Sequence, residues 1–204
     1  MMDYLIHIDQ LWLLALNGAH APWADTLFWW ISKSYVWFPL YALLIGLLVK
    51  QFGWKLGLIY TALLIAAVGL SDYISSGIIK HLVCRPRPTH EPALEGLVHI
   101  VNGYTGGQYG FVSSHAANTM SLTVMFALIW KQINNHGWWL LTYVILNCYS
   151  RMYLGVHYPG DILGGMLVGA VVAIVVYVIA QPLVERWAES SGGDVSVGDQ
   201  SGGS

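Results

Sequence analysis

"GQYGFVSSHAANTMSLTVMFALIW", residues 107–130, changes character halfway along. Its first half is glycine-rich and carries Ser113, Ser114 and His115, and its second half is a mostly apolar run of the kind that crosses a bilayer. A serine placed before such a run caps free backbone N–H groups, and the positive end of the helix dipole at the same point favours an anion. The stretch predicts a membrane helix whose first turn carries chemistry as well as a cap.

The rest of the chain agrees with a membrane setting. Of 204 residues 56% are hydrophobic and only 10% charged, with ten tryptophans, and the mean hydropathy is +0.55. These values lie far from soluble usage and exclude a nucleic-acid-binding or ordinary cytosolic domain. Apolar stretches predict spanning helices at about 27–49, 56–79, 114–130, 137–154 and 161–181, the first interrupted by Lys33. "MDYLIHIDQLWLLALNG" at the N-terminus is short and amphipathic, and reads as an interfacial helix, with a sixth span as the alternative. The fold class is therefore all-α: a polytopic transmembrane helix bundle of five or six spans with an amphipathic N-terminal helix. The expected organisation is an amphipathic segment 1–21, a membrane-embedded domain 22–186 and a disordered polar tail 187–204, with Pro182 ending the last helix. A cleavable signal is not expected, because the N-terminus lacks a basic region and a small-residue cleavage site. Cys84 and Cys148 form no metal-binding spacing and receive no role.

The chain has nine lysines and arginines, few enough that their placement is informative. Lys80, Arg85, Arg87 and Arg151 sit at the ends of two predicted spans; Lys50, Lys55 and Lys131 lie in the connections "KQFGWK" and "KQINNH". Counting crossings puts these groups on opposite faces. It also brings "KHLVCRPRP" (80–88), "FVSSH" (111–115) and "SRMYLGVHYPGD" (150–161) to one face. The positive-inside rule places the lysine connections in the cytoplasm and the three polar patches outside, so the expected setting is a bacterial inner membrane with the site facing the periplasm or the cell exterior.

Each patch has an ordinary reading. A basic residue near a span end snorkels to headgroups, Ser113 caps a helix, and Asp161 in "YPGD" is a good helix start. Together they point to chemistry. Lys80, Arg87 and Arg151 make a cationic cup for a phosphate, with the arginines able to bind bidentately. His157 and Asp161 are four residues apart, so the carboxylate reaches one ring nitrogen and leaves the other free to attack. Asp72, Ser76 and Lys80 recur at helical spacing on the second span, where Asp72 reads as structural.

These three patches are similar to the signature of the type 2 phosphatidic acid phosphatase superfamily, which also holds vanadium-dependent haloperoxidases: K-x6-R-P, P-S-G-H and S-R-x5-H-x3-D. Lys80, Arg87 and Pro88 match the first part, Ser113 and His115 the second, and Ser150, Arg151, His157 and Asp161 the third. Val112 stands in place of the usual proline and Ser114 in place of the usual glycine. The resemblance spans roughly 72–165. It implies a membrane-embedded lipid phosphatase in which His157 is the nucleophile of a phosphohistidine intermediate, Asp161 orients it, and His115 protonates the leaving oxygen and later activates water. Lys80, Arg87, Ser113, Ser114 and Arg151 would bind the phosphoryl oxygens. No metal or other cofactor and no obligate protein partner is implied; the partners are the bilayer and a lipid phosphate. Candidate substrates by the same analogy are undecaprenyl diphosphate, lipid A, phosphatidylglycerol phosphate and phosphatidate. A non-catalytic lipid-binding protein and a phosphotransferase remain as alternatives. Opposite protonation states of the two histidines would give a bell-shaped pH profile.

Overall fold

A computed structural model describes residues 2–133 and 135–190. Its helices are α1 (Met2–Gly18), α2 (Pro22–Ile31), α3 (Phe38–Asp72), α4 (Lys80–Val83), α5 (Ser114–Trp130), α6 (Leu141–Tyr153) and α7 (Pro159–Ser190), with a π-helical segment Tyr73–Ile79 joining α3 to α4. No β-structure beyond the isolated Pro86–Tyr109 bridge occurs among the described residues. The all-helical expectation therefore holds.

Helix α3 reverses at Gly53, whose φ of 75° is open to glycine and strained for other residues. Its legs, 38–52 and 54–72, return past one another so closely that a Cβ on Gly57 would lie 2.6 Å from the Val49 Cα. Among the described residues two helical stretches, Ser34–Val83 and Pro159–Ser190, are long and apolar enough to cross a membrane. Many of their large apolar side chains, among them Trp54, Leu58, Ile65, Leu163, Leu167 and Val178, face outward. That is the surface of a protein solvated by hydrocarbon.

Helix α5 is the central pillar, with α3, α6 and α7 packed around it. In lipid there is little hydrophobic drive between helices, so close packing must hold them. Gly165 and Gly169, one turn apart on α7, supply it: a Cβ on either would strike the backbone oxygens of Ser113 and Ala117. The main core of Leu44, Leu48, Leu56, Tyr60, Phe126 and Ile129 fills the end away from the polar patches. Tyr60 donates a 3.3 Å hydrogen bond to Gln132 there, so the connections carrying Lys50, Lys55 and Lys131 share one end of the bundle. At the other end, Asn17 of α1 donates to the carbonyls of His99 (3.0 Å) and Tyr153 (2.7 Å), tying α1 to the long 84–113 connection and to α6.

Three expectations need correction. The first apolar helix starts at Phe38, because Lys33 is extended and Pro39 sets a new helix start; residues 22–31 form the separate helix α2. Asp72, Ser76 and Lys80 do not share one regular α-helix: Asp72 ends α3, Lys80 begins α4, and the π-helical turns carrying Ser76 lie between them. Helix α7 does not stop at Pro182 but continues to Ser190. Proline removes one hydrogen bond and crowds one carbonyl, while burial of Gln181 and Val184 and the 3.0 Å bond from Gln181 to Glu185 carry the helix past it. Residues 187–190 of the expected tail complete this helix, and 191–204 lie outside the described residues.

Candidate active site

The three polar patches converge where α4 ends and α5 and α7 begin. The π-helical turns, which widen the helix and often occur at functional sites, present Ser76 and Lys80 to the start of α5. Lys80 Nζ donates to Ser114 Oγ at 2.8 Å, and the Ser76 and Ser114 hydroxyls are 2.6 Å apart. Ser113 is the N-cap of α5, its hydroxyl accepting from Ala116 N at 3.5 Å. Its own N–H donates to the Asp161 carbonyl at 2.9 Å, which fastens the second patch to the third. Asp72 turns aside, accepting from Asn118 at 2.9 Å, as suits a structural group.

Arg87 is carried in by a short clasp in which Arg87 N donates to Gln108 O and Gly110 N to Arg85 O. Its guanidinium donates to the carbonyls of Tyr109 (3.1 Å) and Val156 (3.3 Å). Arg151, on the last turn of α6, donates to the Tyr104 hydroxyl at 3.0 Å. Both arginines are buried, and neither has a carboxylate within ion-pair distance among the described residues. The Arg151 Nε is buried without any hydrogen-bond partner. Burial and then the Arg151 charge push Arg87 below its ordinary value. Concentrated positive charge with an unmet donor is costly in a bundle interior unless an anion compensates it.

His157 is 1% exposed, and its Nδ1 lies 3.4 Å from Asp161 Oδ2, leaving Nε2 outside that contact. Burial first, and then the Arg87 and Arg151 charges, hold His157 well below the usual imidazole range. That direction favours the neutral ring at physiological pH. Asp161 is fully buried and also accepts from Tyr158 N at 3.1 Å and Arg85 Nη1 at 2.9 Å. His115, on the first turn of α5, interacts electrostatically with Arg151, His157 and Lys80, and hydrogen-bonds the Ser32 backbone. All eight predicted residues, Lys80, Arg87, Ser113, Ser114, His115, Arg151, His157 and Asp161, thus belong to one constellation. Among the described residues, no group of three His, Cys, Asp or Glu side chains is placed to hold a metal. Cys84 and Cys148 are both free thiols.

Several neighbours escaped the sequence reading. Arg85 was only one of four cations at span ends, and Asp9, Ser32 and Tyr104 carried no motif. Beside His115 lies an apolar cavity of about 570 Å³ between the legs of α3, α5 and α6, lined by Leu44, Thr61, Leu64, Val68, Leu122 and Tyr143 among others. Nothing in the sequence pattern distinguished its lining from lipid-facing side chains.

A buried oxyanion cup with a carboxylate-held histidine, set at the end of an apolar helix bundle, defines a membrane enzyme of phosphoryl chemistry. The PAP2 superfamily profile matches residues 54–185. A lipid A 4'-phosphatase of Bacteroides thetaiotaomicron is 35% identical over 91% of this chain and 83% of the relative. One from Porphyromonas gingivalis is 32% identical over 93% and 80%. A putative undecaprenyl-diphosphatase of Escherichia coli is 27% identical over 87% and 84%. Among solved structures, Aquifex aeolicus LpxE superposes with a TM-score of 0.61 at 25% identity, covering 80% of this chain and 91% of the other. A transmembrane PAP2-type phosphatidylglycerolphosphate phosphatase of Bacillus subtilis shares the fold, with a TM-score of 0.63 at 20% identity over 94% and 89%. The chain belongs to the PAP2 superfamily and is a membrane phosphatase.

Proposed function

We propose that the protein removes the phosphate of a lipid phosphomonoester through a phosphohistidine at His157, and that lipid A carrying a 4'-phosphate is its first-choice substrate. The observation that carries this reading is the cationic cup itself: Lys80, Arg87 and Arg151 surround the buried His157–Asp161 pair, with an unpartnered Arg151 Nε and an apolar cavity alongside. The cup fits a phosphoryl group, and the cavity fits a hydrocarbon chain. The two lipid A 4'-phosphatase relatives, aligned over most of their length, favour that substrate. Undecaprenyl diphosphate is the second choice, through the E. coli relative.

In this reading the lone pair of His157 Nε2 attacks phosphorus in line with the ester oxygen. The P–O bond to the lipid breaks, and His115 gives its proton to the departing oxygen. Asp161 keeps the proton on Nδ1 and offsets the positive charge of the phosphorylated ring. His115 then takes a proton from water as that water attacks phosphorus, the P–N bond breaks, and phosphate leaves. Lys80, Arg87, Arg151, the Ser113 and Ser114 groups and the start of α5 bear the charge on the phosphoryl oxygens. Phosphoryl transfer asks mainly for such positioning and fixed positive field.

The legs of α3, with α5, α6 and α7, serve as five spans, and α1 lies in the interface with its exposed Tyr4, Leu5, Leu11 and Trp12 toward lipid. With the lysine-bearing end in the cytoplasm, the site faces the periplasm of a bacterial inner membrane. The test is phosphate release by purified protein from lipid A, undecaprenyl diphosphate, phosphatidylglycerol phosphate and phosphatidate. Wild type and His157→Ala are run side by side, with chelator and vanadate controls. Vanadate should inhibit, chelator should not, and His157→Ala should be inactive. A requirement for added metal, or a fully active His157→Ala, refutes the mechanism.

A further inference from the structure

Asp161 has two oxygens and two sets of partners. Oδ2 faces His157 and accepts from Tyr158 N, while Oδ1 accepts from Arg85 Nη1 at 2.9 Å. The other end of the same guanidinium, Nη2, lies 2.7 Å from Asp9 Oδ2 on α1. Asp9 uses its remaining oxygen, Oδ1, to accept from Gly160 N at 2.7 Å, in the first turn of α7 that carries Asp161. The Arg85 plane is held over the Tyr158 ring at 3.9 Å. Position 160 has to be glycine for this approach, since a Cβ there would sit 2.8 Å from Asp9 Oδ2. Arg85 and Asp9 are both mostly buried, with side chains 21% and 14% exposed. The family match, 54–185, includes Arg85 but not Asp9.

We infer that Arg85 and Asp9 form a positioning relay, Asp9–Arg85–Asp161–His157, through which the N-terminal helix fixes the orientation of the nucleophile. The inference rests on the phosphohistidine reading above. A carboxylate buried beside a histidine can rotate or take up a proton unless its second oxygen is engaged, and among the described residues Arg85 is what engages it. Arg85 in turn would swing out to solvent or into the phosphate cup if Asp9 did not hold Nη2. The fork of the guanidinium, with parallel donors in a fixed plane, spans both carboxylates at once, which a single ammonium does less well. Because Asp9 also caps α7, the same side chain sets the height of Asp161 relative to α1. The pair therefore acts on the chemical step and leaves the phosphate-binding cations in place.

The test compares Arg85→Ala, Arg85→Lys, Asp9→Asn and the double variant Arg85→Ala with Asp9→Asn, as full chains in detergent or lipid vesicles on the best lipid phosphate. Arg85→Ala is expected to lower kcat about 10- to 100-fold, the usual effect of losing a group that orients a catalytic one, with KM changed by less than about threefold. Arg85→Lys should recover part of kcat. Asp9→Asn should lose about 3- to 10-fold, and little more should be lost when it is added to Arg85→Ala, because the two act as one unit. Wild-type kcat in Arg85→Ala overturns the relay, as do additive losses or an effect confined to KM. If Arg85→Ala does not fold, Asp9→Asn decides alone, and wild-type kcat in that variant overturns it. An active His157→Ala would instead refute the underlying mechanism, so the two failures are distinct.

Discussion

Gly110→Ala adds one methyl group to the wall of the site. The new Cβ would lie 2.7 Å from Asp161 Oδ2, 3.4 Å from Arg87 Cγ and 3.6 Å from Asp161 Cγ. Real contacts of this kind are not shorter than about 3.0 Å, so Asp161 or the clasp must move by a few tenths of an ångström or more. Asp161 has little freedom to yield, being fully buried and fixed by Arg85, Tyr158 N and His157. The oxygen that is displaced is the one that faces His157 Nδ1. A full 1 Å misplacement costs roughly 100-fold in rate, equivalent to about 2.7 kcal/mol in the barrier, so a shift of a few tenths of an ångström should cost roughly 3- to 10-fold. Overpacking should also lower stability by about 1 to 3 kcal/mol. The assay is steady-state phosphate release with a thermal melt of each variant. Gly107→Ala is the control, because nothing lies within 4 Å of a Cβ there. Gly110→Ala is expected to lose roughly 3- to 10-fold in kcat while Gly107→Ala behaves as wild type. Equal, wild-type kcat in both would refute the assigned tension between Gly110, Asp161 and His157.

Other consequences follow from the same geometry. Arg151→Lys keeps the charge but loses the planar fork and its unpartnered Nε, and should lower kcat/KM about 10- to 100-fold, read by steady-state kinetics. Leu64→Trp fills part of the 570 Å³ cavity and should cut turnover of a long-chain lipid phosphate while sparing a short-chain one, measured as the ratio of kcat/KM values. Because His157 is held below the ordinary imidazole value of 6.5, the unfolded chain binds the extra proton first. The stability this group contributes is therefore complete above about pH 6.5 and is lost progressively as the pH falls below it. Melts between pH 8 and about pH 5 should show a smaller loss for His157→Asn than for wild type, and equal losses would contradict the burial argument.

The cup was legible because its members sit at the ends of apolar runs. Once Lys80, Ser113, His115 and Arg151 are assigned to span ends, counting crossings puts them on one face, and that holds even though the first helix begins later than its hydropathy suggests. The Asp161–His157 pair was legible for a local reason, a spacing of four at a helix start. What escaped depends on tertiary closure. Arg85 and Arg87 are two residues apart in "CRPRP", and only the Pro86–Tyr109 clasp decides that one faces Asp161 and the other the cup. Asp9 looks like the polar side of an interfacial helix until α1 is docked. The cavity is lined by the same leucines and valines that meet lipid elsewhere, so periodicity carries no sign of it. Pro182 misled because a proline's local cost says nothing of the packing on either side of it.

The destination of the phosphoryl group during turnover tests the phosphohistidine proposed at His157 most directly. Rapid quenching of the enzyme with lipid A radiolabelled in its 4'-phosphate, followed by alkaline digestion-resistant mapping of phosphohistidine, should place the label on His157 and show none in His157→Ala. Label on any other residue, or wild-type turnover by His157→Ala, would contradict it.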